Sequence, residues 1–239
     1  MIKIETHCHT GGSKCADCAP EIIAKNYKAA GYGGAVITNH LQKAYFDAYP
    51  GDTVSEKYRY FLKVYEEAEV AFKENGLKTF LAAEVLANEP QGHSEYIICG
   101  FDEKFLFDHD PLFYYSQKEL FELCDKNGVF MYKCHPLRTR ELCGDPKYMH
   151  GAEAFNGHFH HFNFNALATD YCEKNGLIKM SGTDYHHDGQ PITAGMFVPD
   201  DINDEKSLVR YIVNNDFERI EDVIGYEKGC KAYRESLCK

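Results

Sequence analysis

Seven side chains of this 239-residue chain are of the types that bind metal ions, and each closes a short apolar run. His7 and His9 flank Cys8, His40 follows Thr38-Asn39, Glu84 follows Phe80-Leu81-Ala82-Ala83, His135 precedes Pro136, and Asp184 and His186 flank Tyr185. Alternate residues on an extended chain point the same way, so His7 and His9 can reach one cation, and Asp184 and His186 repeat that spacing. Imidazole suits zinc, iron and related ions. A buried strand does not end on a lone carboxylate without a partner, because the uncompensated charge costs several kcal/mol, and a cation is the natural partner for Glu84. An eighth candidate ligand, His93, stands just ahead of its apolar run rather than behind it. His109 and His150 lie in polar stretches and read as exposed.

The apolar runs that position these groups lie at 3–5, 35–38, 79–83, 95–99, 129–133, 152–155 and 177–180. Between them fall segments of helical period at 20–30, 54–75, 116–126, 162–174 and 204–214. Pro20 stands at a first-turn position, Ser116 and Glu119 have the spacing of a capping box, and Asn75-Gly76, Asn127-Gly128 and Asn175-Gly176 supply stop signals. Helix alternating with strand describes βα units on a parallel sheet. Seven strands with ligands at one end predict a single distorted (β/α)7 TIM-like barrel over residues 1–239, with its chemistry at the C-terminal ends of the strands.

Bulk composition bounds the function. The net charge of -11 argues against a partner such as nucleic acid or an anionic membrane surface. It leaves room for an anionic small substrate, since bound cations reverse the local sign. The first ten residues lack a basic region and an apolar core, so they do not read as a signal peptide, and no apolar stretch approaches the roughly 20 residues that span a bilayer. Ten cysteines in such a chain read as reduced thiols of a cytoplasmic protein. Cys15-Ala16-Asp17-Cys18 has no second pair of like spacing and reads as loop and core thiols.

Taken in order, His7-Cys8-His9-Thr10, Val36-Ile37-Thr38-Asn39-His40, Ala83-Glu84-Val85, Cys134-His135-Pro136, Glu153-Ala154-Phe155-Asn156-Gly157 and Ser181-Gly182-Thr183-Asp184-Tyr185-His186 resemble the motifs of the PHP family, the polymerase and histidinol phosphatase metallohydrolases. The resemblance spans nearly the whole chain. It implies two or three divalent ions (zinc, manganese or iron) and hydrolysis of phosphate esters. It further implies one ion on His7, His9, Glu84 and Asp184, a second sharing Glu84 and adding His135, and a third on His40 and His186. Two departures stand out. Where the family offers a His or Asp for the third ion, this chain has Lys14 and Cys15, with Asp17 beyond, so either a Cys15 thiolate or an Asp17 carboxylate substitutes as the ligand, or Lys14 takes the third-ion place or meets substrate phosphate. The family histidine of the fourth strand has His93 as its candidate here, in an unclear register. Asn39 also replaces a family aspartate.

The expected reaction is release of phosphate from a small cytosolic ester by a metal-bridging hydroxide. Asp184, His186 and Arg138 are the expected catalytic residues, with Arg138 clamping phosphate and His186, or His40, protonating the leaving oxygen. Lys14, Arg138, Asn156 and His158 are the substrate-binding candidates. The loop 41–53 carries Tyr45, Phe46 and Tyr49, which either cover the site or pack as surface loop. Two alternatives remain. One is amidohydrolase-like C–N or C–O hydrolysis, disfavoured by motif order and by the lack of a strand-end lysine where a bridging carbamate would form. The other is a metal-binding module without catalysis. The oligomeric state is not legible.

Overall fold

The computed structural model describes residues 1–13 and 16–237; the expectations for Lys14 and Cys15 fall outside them. Every apolar run identified above is a strand. They are β1 (Ile2–Cys8), β2 (Gly34–Ile37), β4 (Lys78–Leu86), β5 (Glu95–Cys99), β6 (Phe130–Lys133), β7 (Gly151–Asn156) and β8 (Ile178–Gly182). They pair in chain order around a ring, with the two-residue β3 (His40–Leu41) attached to β4. The TIM-like barrel is therefore the architecture.

Two features depart from a parallel (β/α)7 ring. First, β5 runs antiparallel to both β4 and β6. The connection from β4 to β5 has no helix and is too short for a parallel crossover, which needs a dozen or more residues. Second, the seam between β1 and β8 is filled by β9 (Ala194–Val198), antiparallel on β1 through Ile2, Lys3 and Ile4 and carrying β10 (Arg219–Glu221) on its other edge. At the opposite end of that seam Cys8 bridges Tyr185, and the Thr6 hydroxyl donates to the Ser181 carbonyl at 2.6 Å. β9 and β10 thus close most of the ring that seven strands leave open.

The outer layer is α1 (Pro20–Ala29), α2 (Lys43–Asp47), α3 (Val54–Glu74), α4 (Glu103–Phe107), α5 (Gln117–Lys126), α6 (Asn165–Asn175), α7 (Glu205–Val213) and α8 (Val223–Leu237). The Ser116/Glu119 capping box is formed at α5, and Thr53 with Glu56 makes another at α3. The expected helix at 162–174 begins only at Asn165, because Phe164 takes a left-handed backbone at φ 49°.

The barrel interior is packed by Ile4, Phe80, Ile97, Phe130, Tyr132, Met180 and Met196. Side chains alternate along a strand. Phe80 and Ala82 fill the lumen, so the next residue on that face, Glu84, stands at its top. Cys99 and Ile97 are in the lumen, and Glu95, the first residue of antiparallel β5, meets Glu84 at the same rim. A second core, which includes Leu41, Phe46, Tyr58, Phe61, Leu81, Leu120 and Met131, lies between sheet and helices.

Candidate metal centre

The rim of the barrel gathers most of the candidate ligands into one buried cluster. His7 Nε2 lies 3.1 Å from His9 Nε2, 3.4 Å from Asp184 Oδ1 and 3.5 Å from Glu84 Oε1. His9 Nε2 lies 3.3 Å from Glu84 Oε2 and 3.6 Å from Asp184 Oδ1. His40 Nδ1 is 2.9 Å from Glu84 Oε2, and His135 Nε2 is 3.3 Å from Glu84 Oε1. His186 joins through Nδ1, 3.2 Å from Asp184 Oδ1, with its ring 4.2 Å from that of His9. Donor atoms in three sets, His7/His9/Asp184, His40/Glu84/Glu95 and His9/His40/His186, all lie within 4.8 Å of one another.

Local backbone geometry aims these groups. The register of β1 against β2 shifts between Glu5 and Cys8, where His7 leaves the regular ladder. His135 at φ 30° and Asp184 at φ 55° sit in the left-handed region, uncommon for residues with a side chain and concentrated at functional sites. Glu5 anchors the underside. Its buried carboxyl accepts from the amides of Thr6, His7 and Thr183 at 2.8, 2.9 and 2.8 Å and from the Tyr27 hydroxyl at 3.0 Å, tying β1 to the segment that carries Asp184.

Glu153 does the same from β7. Its Oε1 is 2.8 Å from His7 Nδ1, and its Oε2 accepts from the His135 amide at 2.7 Å and the Asn156 side chain at 2.8 Å. With Nδ1 held by a carboxylate, His7 presents Nε2 to the cluster, the arrangement that orients metal-binding imidazoles.

The electrostatics require positive charge. Burial alone would raise the Glu84 carboxyl, yet His40 and His7 hold it well below the ordinary value. Burial acts likewise on Asp184, and His7 and Arg138 more than offset it. Burial and neighbouring Glu84 push Glu95 up to about 7. Burial and then Arg138 depress His135. Glu84 Oε1 is buried without a hydrogen-bond partner in the structure, although it faces the Nε2 atoms of His7 and His135. A buried carboxylate oxygen converging on imidazole nitrogens, with no donor satisfying it, fits a divalent cation.

Other expected residues fall on the wall of a cavity of about 500 Å³ that opens onto the cluster. Arg138 lies there with its guanidinium largely committed. It donates to Asp184 Oδ2 at 2.6 Å, to Asn156 Oδ1 at 2.9 Å and, through Nε, to Asn163 Oδ1 at 2.9 Å. Asn156 is buried and linked to Arg138, Glu153 and the His158 amide, so it braces Arg138 and Glu153. His158 is buried with its ring 5.2 Å from that of His186. Tyr45 stacks on His40 at 5.2 Å in the cavity wall, while Phe46 and Tyr49 of the same loop are core residues.

His93 is brought to the cavity mouth but not into the cluster. It is half exposed and pairs with Glu141, which also holds the buried Lys133 ammonium at 3.0 Å. The antiparallel course of β5 explains the difference. Its first residue, Glu95, reaches the rim, and His93 lies two residues further out. Lys133 closes β6, but its amine does not reach the cluster as a bridging group. Its ammonium is used by the carbonyls of Glu95 and Cys134 at 3.1 and 3.0 Å and by Glu141, which suits a charged structural amine rather than a carbamate. Asn39, in place of a carboxylate, bonds the Thr10 amide at 2.9 Å and holds the turn after β1. Sequence reasoning passed over Glu95, Glu153 and Glu5. Their signal was an acidic residue inside an otherwise apolar run, the same signal that marked Glu84.

No family model matches the sequence, and no curated protein is similar to it. Several solved structures are similar in fold. A two-domain protein from Bacteroides vulgatus containing a PHP-like metal-dependent phosphoesterase, so described by prediction, is 19% identical over 96% of this chain and 70% of its own, with a TM-score of 0.62. An amidohydrolase from Chromobacterium violaceum, with bound sulfate and no metal, is 11% identical over 92% and 98%, at 0.58. A lesion-specific endonuclease from Pyrococcus furiosus is 12% identical over 92% of this chain and 57% of that one, at 0.58. The barrel that assembles these histidines and carboxylates is the fold of the PHP-like metal-dependent phosphoesterases.

Proposed function

We propose that this protein is a metal-dependent hydrolase that releases phosphate from a small phosphate ester. The observation that carries the reading is Glu84, a buried carboxylate whose Oε1 lacks a hydrogen-bond partner amid imidazole nitrogens. His7, His9, Glu84 and Asp184 would hold one divalent ion, Glu84 and His135 a second, and His40 with His186 a third. Ions held there supply Lewis-acid activation of water and of the ester, as two-metal centres do at spacings of about 3.5–4 Å.

The chain's own residues do the rest. Glu153 fixes the tautomer and direction of His7. Arg138 holds Asp184 through Oδ2, leaving Oδ1 toward the histidines, and brings a positive charge to the cavity wall that favours an anionic ester. His186 lines the same cavity and, where no third ion takes it, can give a proton to the departing alkoxide, whereas burial holds His158 well below its ordinary value and keeps it neutral. The cavity suits a small ester, and the acidic surface disfavours a nucleic-acid backbone. Cytoplasmic residence agrees with the eight described cysteines, all free thiols, and no helix among the described residues is long and apolar enough to cross a membrane. Amide hydrolysis is the second reading, favoured by the amidohydrolase among the structural neighbours.

The test is a screen of the purified protein against small phosphate esters, cyclic amides and single-stranded oligonucleotides with manganese, zinc or iron(II), alongside Asp184→Asn. Metal-dependent phosphate release that EDTA abolishes and Asp184→Asn lowers more than about a hundredfold is expected. Turnover of amides alone, or no turnover with ions bound, would replace this reading by one of the other two.

A further inference from the structure

Within that reading of the cluster as a metal centre, we infer that Glu95, and not His93, is the ligand that β5 supplies, and that it makes the second ion position a harder site than a histidine there would. Glu84 faces both positions: with His7, His9 and Asp184 it gives the first position two nitrogens and two carboxylates, and with His135 it gives the second position one of each, to which Glu95 adds a carboxylate and His40, otherwise set with His186, a second nitrogen. The donor atoms of His40, Glu84 and Glu95 converge, as do those of His7, His9 and Asp184. Glu95 Oε1 stands 3.7 Å from His40 Nδ1 and Oε2 stands 3.6 Å from His135 Nε2, so its carboxylate spans the two imidazoles that flank Glu84.

Glu95 is held for this task. The antiparallel register Glu84↔Ile97 and Leu86↔Glu95 puts its backbone beside the upper half of β4. Its carbonyl is fixed by Lys133 and by the Cys134 amide, each at 3.1 Å, and its Oε1 accepts from Gln42. Two carboxylates, buried at 1% and 6% exposure and aimed at the same space, repel each other unless a proton or a cation neutralises them. His93 is committed to Glu141, which is in turn committed to Lys133, and that chain runs away from the cluster along the cavity mouth. Carboxylate donors favour manganese and other hard ions, and imidazoles favour zinc. Glu95 thus shifts the second position toward manganese relative to the histidine it replaces.

The test measures bound ions per chain by elemental analysis, with affinities from titration of the chelator-stripped protein by manganese and by zinc. Far-ultraviolet circular dichroism in EDTA checks the fold of each variant. Wild type binds at least two ions. Glu95→Gln loses one, or binds it more than about 100-fold more weakly, beyond the 10–100-fold typical of losing a group that merely orients a ligand. His93→Ala keeps both ions. Glu95→His keeps two and moves the zinc-to-manganese preference of the weaker position at least tenfold toward zinc. Full occupancy and unchanged affinity in Glu95→Gln, or loss of an ion in His93→Ala, overturns this assignment while leaving the hydrolase reading intact. Failure of wild type to bind any ion overturns both. If Glu95→Gln does not fold, Glu95→His decides by its preference: an unchanged ratio rejects the assignment.

Discussion

Glu153 touches none of the reacting space, yet two of the histidines depend on it. One carboxylate oxygen meets His7 Nδ1 and the other meets the His135 amide. An amide in its place keeps both contacts only by donating to His7 Nδ1, which puts the ring proton on Nε2, the atom that faces the cluster. Glu153→Gln should therefore weaken metal binding 10–100-fold, the usual effect of disturbing a partner that orients a ligand. A chelator-competition titration checks this, and undiminished affinity would show that His7 is oriented by other means. Arg138 is a similar case with a different readout. Arg138→Lys cannot serve Asp184, Asn156 and Asn163 from one planar fork, so buried acceptors lose partners at about 1–3 kcal/mol each. Thermal unfolding without metal should fall by several degrees, and kcat/KM should fall at least tenfold. A variant with wild-type stability would mean that the asparagines find other donors.

At the scale of elements, the centre depends on how closely β8 approaches β1. A Cβ on Gly182 would stand 2.5 Å from the His7 Cβ and 2.7 Å from Glu153 Oε1, with no room for either to yield. Gly182→Ala should destabilise the protein by about 1–3 kcal/mol and also abolish the rise in melting temperature that manganese brings. Gly176→Ala is the control. Its φ of 66° strains an alanine, but nothing lies within 4 Å, so stability drops while the metal response persists. Scanning fluorimetry with and without manganese separates the two. The strands were legible in the sequence because each is an apolar run between turn signals, and the ligands were legible where they end such runs. The direction of β5 was not, because alternation reads the same both ways, and only the brevity of residues 87–94 bears on it. Consequently His93 was expected in the cluster and Glu95 was overlooked. The strands β9 and β10 escaped because their pairing partners are distant in sequence. The helix α8 escaped because Gly225 and Gly229 interrupt its pattern and only Cys230 is buried. Glu153 and Glu5 carry only the signal of an acid among apolar residues, and an orienting carboxylate has no spacing signature of its own to say what it orients.

For the whole molecule, a net charge of -11 surrounds the cavity proposed for an anionic ester, so ions bound there would have to supply the attraction. The same carboxylates govern stability with pH. Burial and Glu84 raise Glu95 from 4.5 to about 7 in the metal-free protein. Between those values the folded chain keeps a proton that the unfolded chain has released, so stability falls as pH rises through that window. The shift corresponds to at most ~3 kcal/mol at about 1.36 kcal/mol per unit. His7, raised well above its ordinary value against burial by Asp184 and Glu153, acts in the same direction, because its contribution is lost as pH climbs through its folded value. A cation competes with these protons, so binding it releases them and becomes tighter with pH. Burial depresses His135, His158 and His161, which act the other way, so the Glu95 contribution is read as a difference: from pH 5.5 to 7.5 the metal-free wild type should lose stability relative to Glu95→Gln. The increment from saturating manganese should grow over the same range. Melting curves of the two proteins at fixed ionic strength with and without EDTA measure both effects. A wild-type metal-free profile that runs parallel to that of Glu95→Gln would mean that Glu95 is already ionised in the empty centre, its charge met by His40 and His135 rather than by a proton.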